Sequence, residues 1–221
     1  MADKSILSAF KQAPLFRQIE EEELEHFIEN VTIATYKKGH YIFLQGETPD
    51  WMLLLLQGTI KVLRQTEMGR FVTFNILTPR QTWGEGIMFN AQPLFVSLQA
   101  VEETSVAIIP QSDFVHFATK HPPILINTII RMRKEYREVA EIASILATCD
   151  AEKRVAKMVL LYLSIFGENI SLTHQELADM VGTTRETVSR VMVHMRDEEI
   201  ISPTRGGFQI VNKTRLEHLA R

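Results

Sequence analysis

The chain has 221 residues but only one cysteine, Cys149. One cysteine rules out a disulfide within the chain, and it cannot hold an iron–sulfur cluster, which needs about four protein ligands. The neighbouring Leu146 and Ala147 favour a small buried residue at the end of a helix. A redox-active thiol is the alternative.

Long apolar segments are also missing. The apolar run MLLLLQG stops at Gln57, well short of the ~20 residues that a membrane-spanning helix requires. The N-terminal residues MADKSILSAFKQ lack the uninterrupted apolar stretch of a secretory signal. We therefore expect a cytoplasmic protein without a membrane partner.

Positive charge is not in excess. The 24 Lys and Arg residues are outnumbered by 27 Asp and Glu residues, which gives a formal net charge of −3. Affinity for nucleic acid therefore has to come from locally placed arginines and not from a generally basic surface. The arginines available for this are Arg185, Arg190, Arg196 and Arg205.

The usual catalytic motifs are absent from the sequence. There is no nucleophile elbow, HExxH, Walker loop or GxGxxG. His174 and His194 have no partner carboxylate at an evident catalytic spacing. These absences argue against an enzyme.

The stretch HQELADMVGTTRETVSRVMV, residues 174–193, has the residue spacing of a helix-turn-helix. This motif needs a small residue where its helices cross, a turn residue that tolerates positive φ, and apolar residues that lock the helices together. Ala178, Gly182 and Val188 fall at these places. The buried side is completed by Leu177, Val181 and Val191.

Both helices of this motif carry start signals. Thr173 followed by Glu176, and Thr183 followed by Glu186, each predict a capping box. We therefore expect a short turn and a second helix that begins abruptly.

The second helix presents polar side chains opposite its packing residues. Arginine can pair bidentately with guanine, a carboxylate can accept from the amino group of cytosine, and Ser or Thr can reach a base or a phosphate. A solvated helix face, with Glu186 acting only as a cap, is the alternative; we favour DNA reading. The candidate DNA-binding residues of this helix are Thr184, Arg185, Glu186, Ser189 and Arg190.

The flanking segments complete a C-terminal domain. Asp150 is expected to cap a helix that Gly167 ends, and residues 169–172 to form a short strand. After the helix-turn-helix, EEIISPTRGGFQIVN predicts two strands joined by a turn at Gly206–Gly207. Such a wing rests on the DNA backbone, and Arg205 beside the turn is a further DNA-binding candidate.

The N-terminal half has a different pattern of apolar and glycine residues. Residues 5–30 are amphipathic, with Glu20–Glu23 starting a helix, and predict a collar without a site of its own. From Val31 to Ile109, short β-rich segments are punctuated by glycine. This pattern predicts an antiparallel β-roll that encloses a small pocket near its middle.

A long helix is expected to begin at Pro122. Its apolar residues alternate at spacings of four and three over about three heptads, which is the a/d seam of a coiled coil. We favour a parallel two-fold dimer, with a single helix packed on its own domain as the alternative. The seam contains Leu125, Ile129, Met132, Tyr136, Val139, Ala143 and Leu146. The outer positions are assigned to Arg131, Arg133, Lys134, Glu135, Arg137, Glu138 and Glu141.

These parts, in this order, resemble the CRP/FNR family of bacterial transcription regulators over nearly the whole chain. The resemblance rests on WGEGIMF in the glycine-punctuated roll, the long helix, and TTRETVSR in the C-terminal domain. It implies an α+β fold with a β-roll sensor domain like those that bind cyclic nucleotides (1–120), a dimerisation helix (121–148) and a winged helix-turn-helix (149–221).

The resemblance also implies partners. Family members are homodimers that bind palindromic DNA and recruit or block RNA polymerase. Arg185, Glu186 and Arg190 match the residues with which the family contacts bases and phosphates, and this set implies a TGTGA-like half-site. Arg80 stands before WGE where the family often has glycine, and the loop between Phe166 and Ile170 is shorter than the polymerase-contacting segment of cyclic AMP receptor proteins. Activation is the expected output.

The sensor domain departs from the cyclic AMP readers of the family. Gly84 and Glu85 match the pair that binds the ribose, but Leu94 and Phe95 stand where an Arg-Ser pair binds the cyclic phosphate. Val139 and Ala140 stand where a polar pair reaches the adenine. A phosphate buried without a cation costs several kcal/mol, which argues against cyclic AMP as the effector.

The stretch GIMFNAQPLFVSLQAV is similar to the nitric-oxide-responsive denitrification regulators of the family, some of which are thought to bind haem in an apolar sensor pocket. The apolar residues at the positions of the two polar pairs would suit haem, another apolar ligand, or a filled core with no ligand. They are Leu94, Phe95, Val139 and Ala140. No CxxCH motif is present, and the spacing singles out none of His26, His40, His116 and His121 as an axial ligand. A sensor module that acts through protein contacts, without reading DNA, is the alternative function.

Overall fold

The computed structural model describes residues 4–65 and 71–220. These residues form two compact units. The first contains residues 4–65 and 73–137, and the second contains residues 71–72 and 138–220. Each unit is described by itself below.

The first unit opens with two short helices, α1 (Lys4–Gln12) and α2 (Glu21–Ile28), with a 3-10 turn at Pro14–Phe16 between them. The predicted helix start at Glu20–Glu23 is confirmed, because α2 carries three glutamates in its first turn. The aromatic rings of these segments pack against each other, with 4.8 Å between the ring centres of Phe10 and Phe16. The segment is a collar whose inner side is part of a hydrophobic core.

The β-roll of the first unit consists of two four-stranded sheets. The first has the order β1-β8-β3-β6 and the second the order β2-β7-β4-β5. The pairings of β1 with β8, of β3 with β6 and β8, and of β7 with β2 and β4 are antiparallel, as predicted. The strands are β1 (Thr32–Tyr36), β2 (Tyr41–Phe43), β3 (Trp51–Gln57), β4 (Ile60–Gln65), β5 (Phe71–Leu77), β6 (Thr82–Trp83), β7 (Ser97–Ala100) and β8 (Thr104–Pro110).

Strand β3 separates two hydrophobic cores. Its side chains alternate between its two faces, so Met52 and Leu54 pack with the collar while Leu53 and Leu55 pack inside the roll. Because both faces of the strand are covered, the run MLLLL is apolar throughout. The core inside the roll is filled by side chains that include Phe43, Leu53, Leu55, Ile60, Val62, Leu94, Leu98 and Val106.

Helix α3 (Gln111–Lys120) follows β8, and the long helix α4 (Pro122–Thr148) begins two residues after α3 ends. The predicted start of the long helix at Pro122 is confirmed. The link between α4 and the next helix is only Cys149 and Asp150. Cys149 is half-buried and not fully buried as predicted, because it lies in this link and not within a packed helix.

The second unit contains α5 (Ala151–Phe166), β9 (Asn169–Ile170), α6 (His174–Val181), α7 (Arg185–Asp197), β10 (Ile201–Thr204), β11 (Gly207–Ile210) and α8 (Lys213–Leu219). Helices α6 and α7 are the predicted helix-turn-helix, and the sheet order β10-β11-β9 forms the wing. Ala178 and Val188 are fully buried, and Gly182 has φ of +64° in the turn, as predicted.

Most of the predicted caps are confirmed. Asp150 accepts a hydrogen bond from the Lys153 backbone at 2.9 Å, and Thr173 and Glu176 form the capping box of α6. The cap of α7, however, is Thr184, which accepts from the Thr187 backbone at 3.2 Å. The prediction of Thr183 is wrong by one residue, because the turn after Gly182 takes up one more residue before the helix begins.

The wing turn is also displaced by one residue from its predicted position. It lies at Arg205–Gly206, while Gly207 already pairs with Thr204 in the strand ladder. A Cβ atom on Gly207 would lie 2.0 Å from the Ile170 carbonyl oxygen. The second glycine is therefore required by close packing of β11 against β9 and not by the turn.

Candidate DNA-binding face and effector site

Helix α7 divides sharply into a buried and an exposed side. Val188, Val191, Met192 and Met195 are buried. Thr184, Arg185, Glu186 and Arg190 are exposed, and Ser189 is half-buried. The structure thus places these five candidates together, with Thr184 at the N-cap and the other four in the first two turns of α7.

The carboxylate of Glu186 is held at the start of α7. Hydrogen bonds from its own backbone N–H and from the Thr184 hydroxyl lower the pKa of Glu186 below its usual range, and the neighbouring Arg185 acts in the same direction. The side chain is therefore an ionised acceptor at neutral pH. Capping and acceptance from a cytosine amino group are compatible because a carboxylate offers about four lone-pair sites.

Thr187, which was not among the predicted DNA-binding residues, lies between Thr184 and Arg190. The Thr187 hydroxyl is 3.1 Å from the Thr184 hydroxyl and accepts a hydrogen bond from Arg190 Nη2 at 3.4 Å. These contacts join residues at positions i, i+3 and i+6 on one side of the helix. They orient the Arg190 side chain along α7.

Ser189 contacts the other helix of the motif. Its hydroxyl lies 2.8 Å from Nδ1 of His174, the first residue of α6. No local pattern in the sequence predicts this pair, because its members are fifteen positions apart. The contact joins the two helices of the motif through polar side chains, in addition to the buried residues Ala178 and Val188.

The wing presents Arg205 in its exposed turn. Gly206 has φ of +86°, which glycine adopts without strain. Strand β11 pairs on its other side with β9, where Phe208 is opposite Ile170. The position of the wing is thus fixed by the strand that precedes α6.

A groove of about 340 Å³ lies between the start of α5 and the exposed side of α7. Inside it, His194 Nδ1 is 2.5 Å from Glu152 Oε1. The hydrogen bond to Glu152 raises the pKa of His194 above its usual range, and partial desolvation opposes this. The groove is lined by Asp150, Ala151, Glu152, Thr187, Arg190, Val191 and His194.

In the first unit, Glu85 is a buried carboxylate with only 4% of its surface exposed. It follows Gly84, whose φ of +99° bends the chain after β6. The Thr82 hydroxyl donates to Glu85 Oε1 at 3.2 Å, while Glu85 Oε2 is buried without a hydrogen-bond partner. Burial raises the pKa of the Glu85 carboxyl, and a nearby arginine opposes that rise.

That arginine is Arg131 of α4. Its Nη1 forms an ion pair with Glu85 and donates to the Thr82 hydroxyl at 2.6 Å. Its Nε and Nη2 donate to Glu135, one helical turn further along α4, at 3.0 and 2.8 Å. The prediction that Arg131 occupies an outer position is therefore wrong: its side chain is three-quarters buried because it neutralises the carboxylate of the roll.

The remaining effector candidates are dispersed. Leu94 is buried in the core of the roll, whereas Phe95, the next residue, is 63% exposed, so the two side chains do not line one surface. Val139 and Ala140 are exposed and belong to the second unit. Within α4, the residue that reaches Glu85 is Arg131 and not either of these.

Helix α4 carries a broad exposed apolar stripe. Of the predicted seam, Leu125 is half-buried against the collar core, and the side chain of Leu146 lies outside the described residues. Ile126 and Ile130, which were not predicted, widen the stripe. The exposed members are Ile126, Ile129, Ile130, Met132, Tyr136, Val139 and Ala143.

The described residues contain no cluster of three or more His, Cys, Asp or Glu side chains that would hold a metal ion. The ring of His121 packs against that of Phe117 in a tilted arrangement, with ring centres 4.2 Å apart, and His121 Nδ1 lies 3.4 Å from Glu23 Oε2. Across residues 4–65 and 71–220, every helix is too short or too polar to cross a membrane.

Comparison with known proteins gives the family. A profile described as "Cyclic nucleotide-binding domain" matches residues 33–121, and one described as "Crp-like helix-turn-helix domain" matches residues 153–219.

Individual relatives agree with these profiles. The chain is 27% identical to the cyclic AMP receptor protein of Thermus thermophilus over 95% of this chain and 98% of that protein. It is 26% identical to the cAMP-activated global transcriptional regulator CRP of Pasteurella multocida, over 81% and 90% of the two chains. The structure of a CRP/FNR-family transcriptional regulator from Thermus thermophilus has a TM-score of 0.72 at 25% identity, covering 86% of this chain and 98% of that one. The chain therefore belongs to the CRP/FNR family of transcription regulators, which are not enzymes.

Proposed function

We propose that this protein is a homodimeric, effector-controlled regulator that reads palindromic DNA through α7. The observation that carries the proposal is the exposed polar face of α7 on a helix whose other side is fully packed. Its exposed side chains, Thr184, Arg185, Glu186 and Arg190, have the donor and acceptor groups that base edges require.

The roles within the half-site follow from this chemistry. Arg185, at the start of α7, suits bidentate pairing with guanine, and the ionised Glu186 suits the amino group of cytosine. Arg190, oriented along the helix by Thr187, suits a phosphate. This set supports a TGTGA-like half-site, with Thr184, Ser189 and the wing residue Arg205 as further contacts.

The decisive experiment is selection of bound duplexes from a random pool, followed by titration of Arg185→Ala against the selected site. We expect the loss of about 1–3 kcal/mol of discrimination at one base pair. The control is Lys213→Ala, because Lys213 is an exposed cation on α8, paired only with the nearby Glu217. Unchanged base preference in Arg185→Ala, or equal binding of all duplexes by the wild type, would favour the sensor module that acts through protein contacts.

Dimerisation is proposed through the stripe of α4. Six large apolar side chains on one helix are costly to leave in water, and seam positions are where a parallel coiled coil buries them. Tyr136 is 74% exposed and lies at the centre of the stripe. We expect Tyr136→Glu to sediment as a monomer and Lys134→Glu, at the outermost heptad position, to remain a dimer.

The effector is proposed to differ from cyclic AMP, although several curated relatives are named for that nucleotide. Leu94 and Phe95 supply no cation for a cyclic phosphate, and the carboxylate of Glu85 is already paired with Arg131. Haem or another apolar ligand remains the hypothesis for the roll. Absorption spectra of the purified protein before and after haem addition test it, because a haem sensor gives a Soret band with defined ligation.

The output is proposed to be activation by recruitment of RNA polymerase, in the cytoplasm. Effector binding would shift the population between two dimer states that hold the two α7 helices at different separations. The proposed parts are residues 1–120 as sensor, 121–148 as dimerisation helix and 149–221 as reader. In vitro transcription from a promoter that carries the selected site distinguishes activation from repression.

A further inference from the structure

His174 of α6 and Ser189 of α7 form a polar contact on the DNA-binding face. The 2.8 Å separation of Nδ1 and Oγ is that of a good hydrogen bond. Both side chains are half-buried, so the contact is partly shielded from water. His174 has no role in the function proposed above.

The backbone on both sides of this contact is fixed. His174 directly follows Thr173, which with Glu176 forms the capping box of α6. Ser189 directly follows Val188, which is fully buried. The backbone of each residue is therefore held next to a cap or to the core, which keeps the two side chains within reach of each other.

The contact restricts what Ser189 can offer to DNA. A serine hydroxyl has one donor and two acceptor sites and otherwise rotates freely. The imidazole nitrogen uses one of these sites and sets the direction of the others. Ser189 lies four residues after Arg185 and three after Glu186, so it is on the same side of α7 as these two proposed base-reading residues.

We propose that His174 is a positioning residue that orients the Ser189 hydroxyl, so that α6 helps to set base preference at the position that Ser189 contacts. The inference rests on the proposed DNA reading by α7 and names a second determinant of its specificity. A hydroxyl held in one direction discriminates between donor and acceptor groups on a base edge, whereas a rotating hydroxyl adapts to either.

The test uses the full-length protein and the duplex recovered by selection. Affinities of His174→Ala, Ser189→Ala and the double variant are measured for that duplex and for all its single base-pair substitutions. We expect both single variants to lose about 3- to 10-fold in discrimination at the same base pair, as for one hydrogen bond. The double variant should lose no more than either single one, because the two residues act as one unit.

Two further variants separate positioning from support of the fold. Asn at position 174 keeps a hydrogen-bonding atom near the place of Nδ1, so we expect His174→Asn to restore the discrimination. Gln175→Ala is the matched control, because Gln175 is an exposed neighbour on α6 that donates to Asp179 and not to Ser189.

Several outcomes would overturn the inference. These are an equal loss of affinity for all duplexes in His174→Ala, additive losses in the double variant, or failure of His174→Asn to restore discrimination. Unchanged discrimination in Ser189→Ala would also overturn it. In each case Arg185→Ala still reports separately on the proposed function. If Arg185→Ala loses discrimination at its own base pair, the proposed DNA reading stands even when the role of His174 does not. If it loses no discrimination there, both proposals fail.

Discussion

Arg131 neutralises Glu85, and in doing so α4 supplies the counter-charge for a buried carboxylate that follows Gly84, whose φ is positive. The same guanidinium also bonds Glu135 on its own helix. A ligand that binds to Glu85 therefore has to compete with Arg131 or to bond to the unpartnered Oε2 atom. Competition with Arg131 would change the bonding of α4 directly, whereas a contact to Oε2 leaves the ion pair of Arg131 with Glu85 Oε1 in place.

Removal of this counter-charge is predicted to be destabilising. Arg131→Met leaves the Glu85 carboxylate buried without a cation, and we expect the free energy of unfolding to fall by about 3 kcal/mol at pH 7. The loss should shrink as the pH is lowered from 8 to 5. Glu85 then takes up a proton in the folded state, where burial raises its pKa, and does so less readily in the unfolded chain.

Urea unfolding at several pH values measures this effect. Arg133→Met on the exposed side of α4 is the control and should change stability little. Combining Arg131→Met with Glu85→Gln should recover most of the loss at pH 7, because no buried charge is then left. A pH-independent loss would mean that Arg131 acts by packing alone.

Arg80 is predicted to be a strained residue. It has φ of +74°, and its backbone N–H bonds the Leu55 carbonyl at 2.8 Å, so the turn cannot relax. We expect Arg80→Gly to raise the free energy of unfolding by about 1 kcal/mol. Arg64→Gly, in the extended strand β4, should lower it. Equal effects of the two substitutions would argue against strain at Arg80.

The two wing glycines are predicted to differ in their tolerance of alanine. Nothing lies within 4 Å of a Cβ on Gly206, so Gly206→Ala should cost only the strain of its positive φ, about 1 kcal/mol. Gly207→Ala forces β9 away from β11, and we expect a loss of about 2–3 kcal/mol. Thermal unfolding of both variants checks the order, and the reverse order would contradict the packing described here.

His194 is predicted to titrate above its ordinary range in the folded protein. The hydrogen bond to Glu152 favours the protonated ring, so its contribution to stability is complete below about pH 6.5 and is lost as the pH rises through the folded-state value. Both side chains are partly exposed, so the contribution stays below about 1 kcal/mol. NMR titration of the His194 ring protons should show a lower pKa in Glu152→Gln, and no shift would exclude the pair in solution.

Local signals in the sequence predicted most of the fold. Asp150, Thr173, Gly167 and Gly182 each act within a few residues of their own position, so spacing alone is enough to recognise them. The β-roll, the long helix and the winged helix-turn-helix were predicted for the same reason. The errors at Thr183 and at the wing turn are shifts of one residue, which spacing does not resolve.

Residue pairs that join segments far apart in the sequence could not be predicted from local patterns. Arg131 resembles any charged residue on the outside of a coiled coil until the fold brings Glu85 against it. His174 and Ser189 meet only once α6 and α7 cross, and Gly207 shows its role only beside Ile170. The pairing of Glu85 was missed because its partner comes from 46 positions away and not from the residues that replace the Arg-Ser pair.

The sharp division of α7 has a consequence for how such a protein acquires new targets. The apolar side chains that hold the helix in place are buried, and most of the polar ones face outward; Thr187 and Ser189 are half-buried, and Thr184 caps the helix while it is exposed. Exchange of the exposed Arg185 or Arg190 can therefore redirect the protein to a different operator at little cost in folding. The same scaffold can in this way be retargeted across a genome, or by an engineer, one outward side chain at a time.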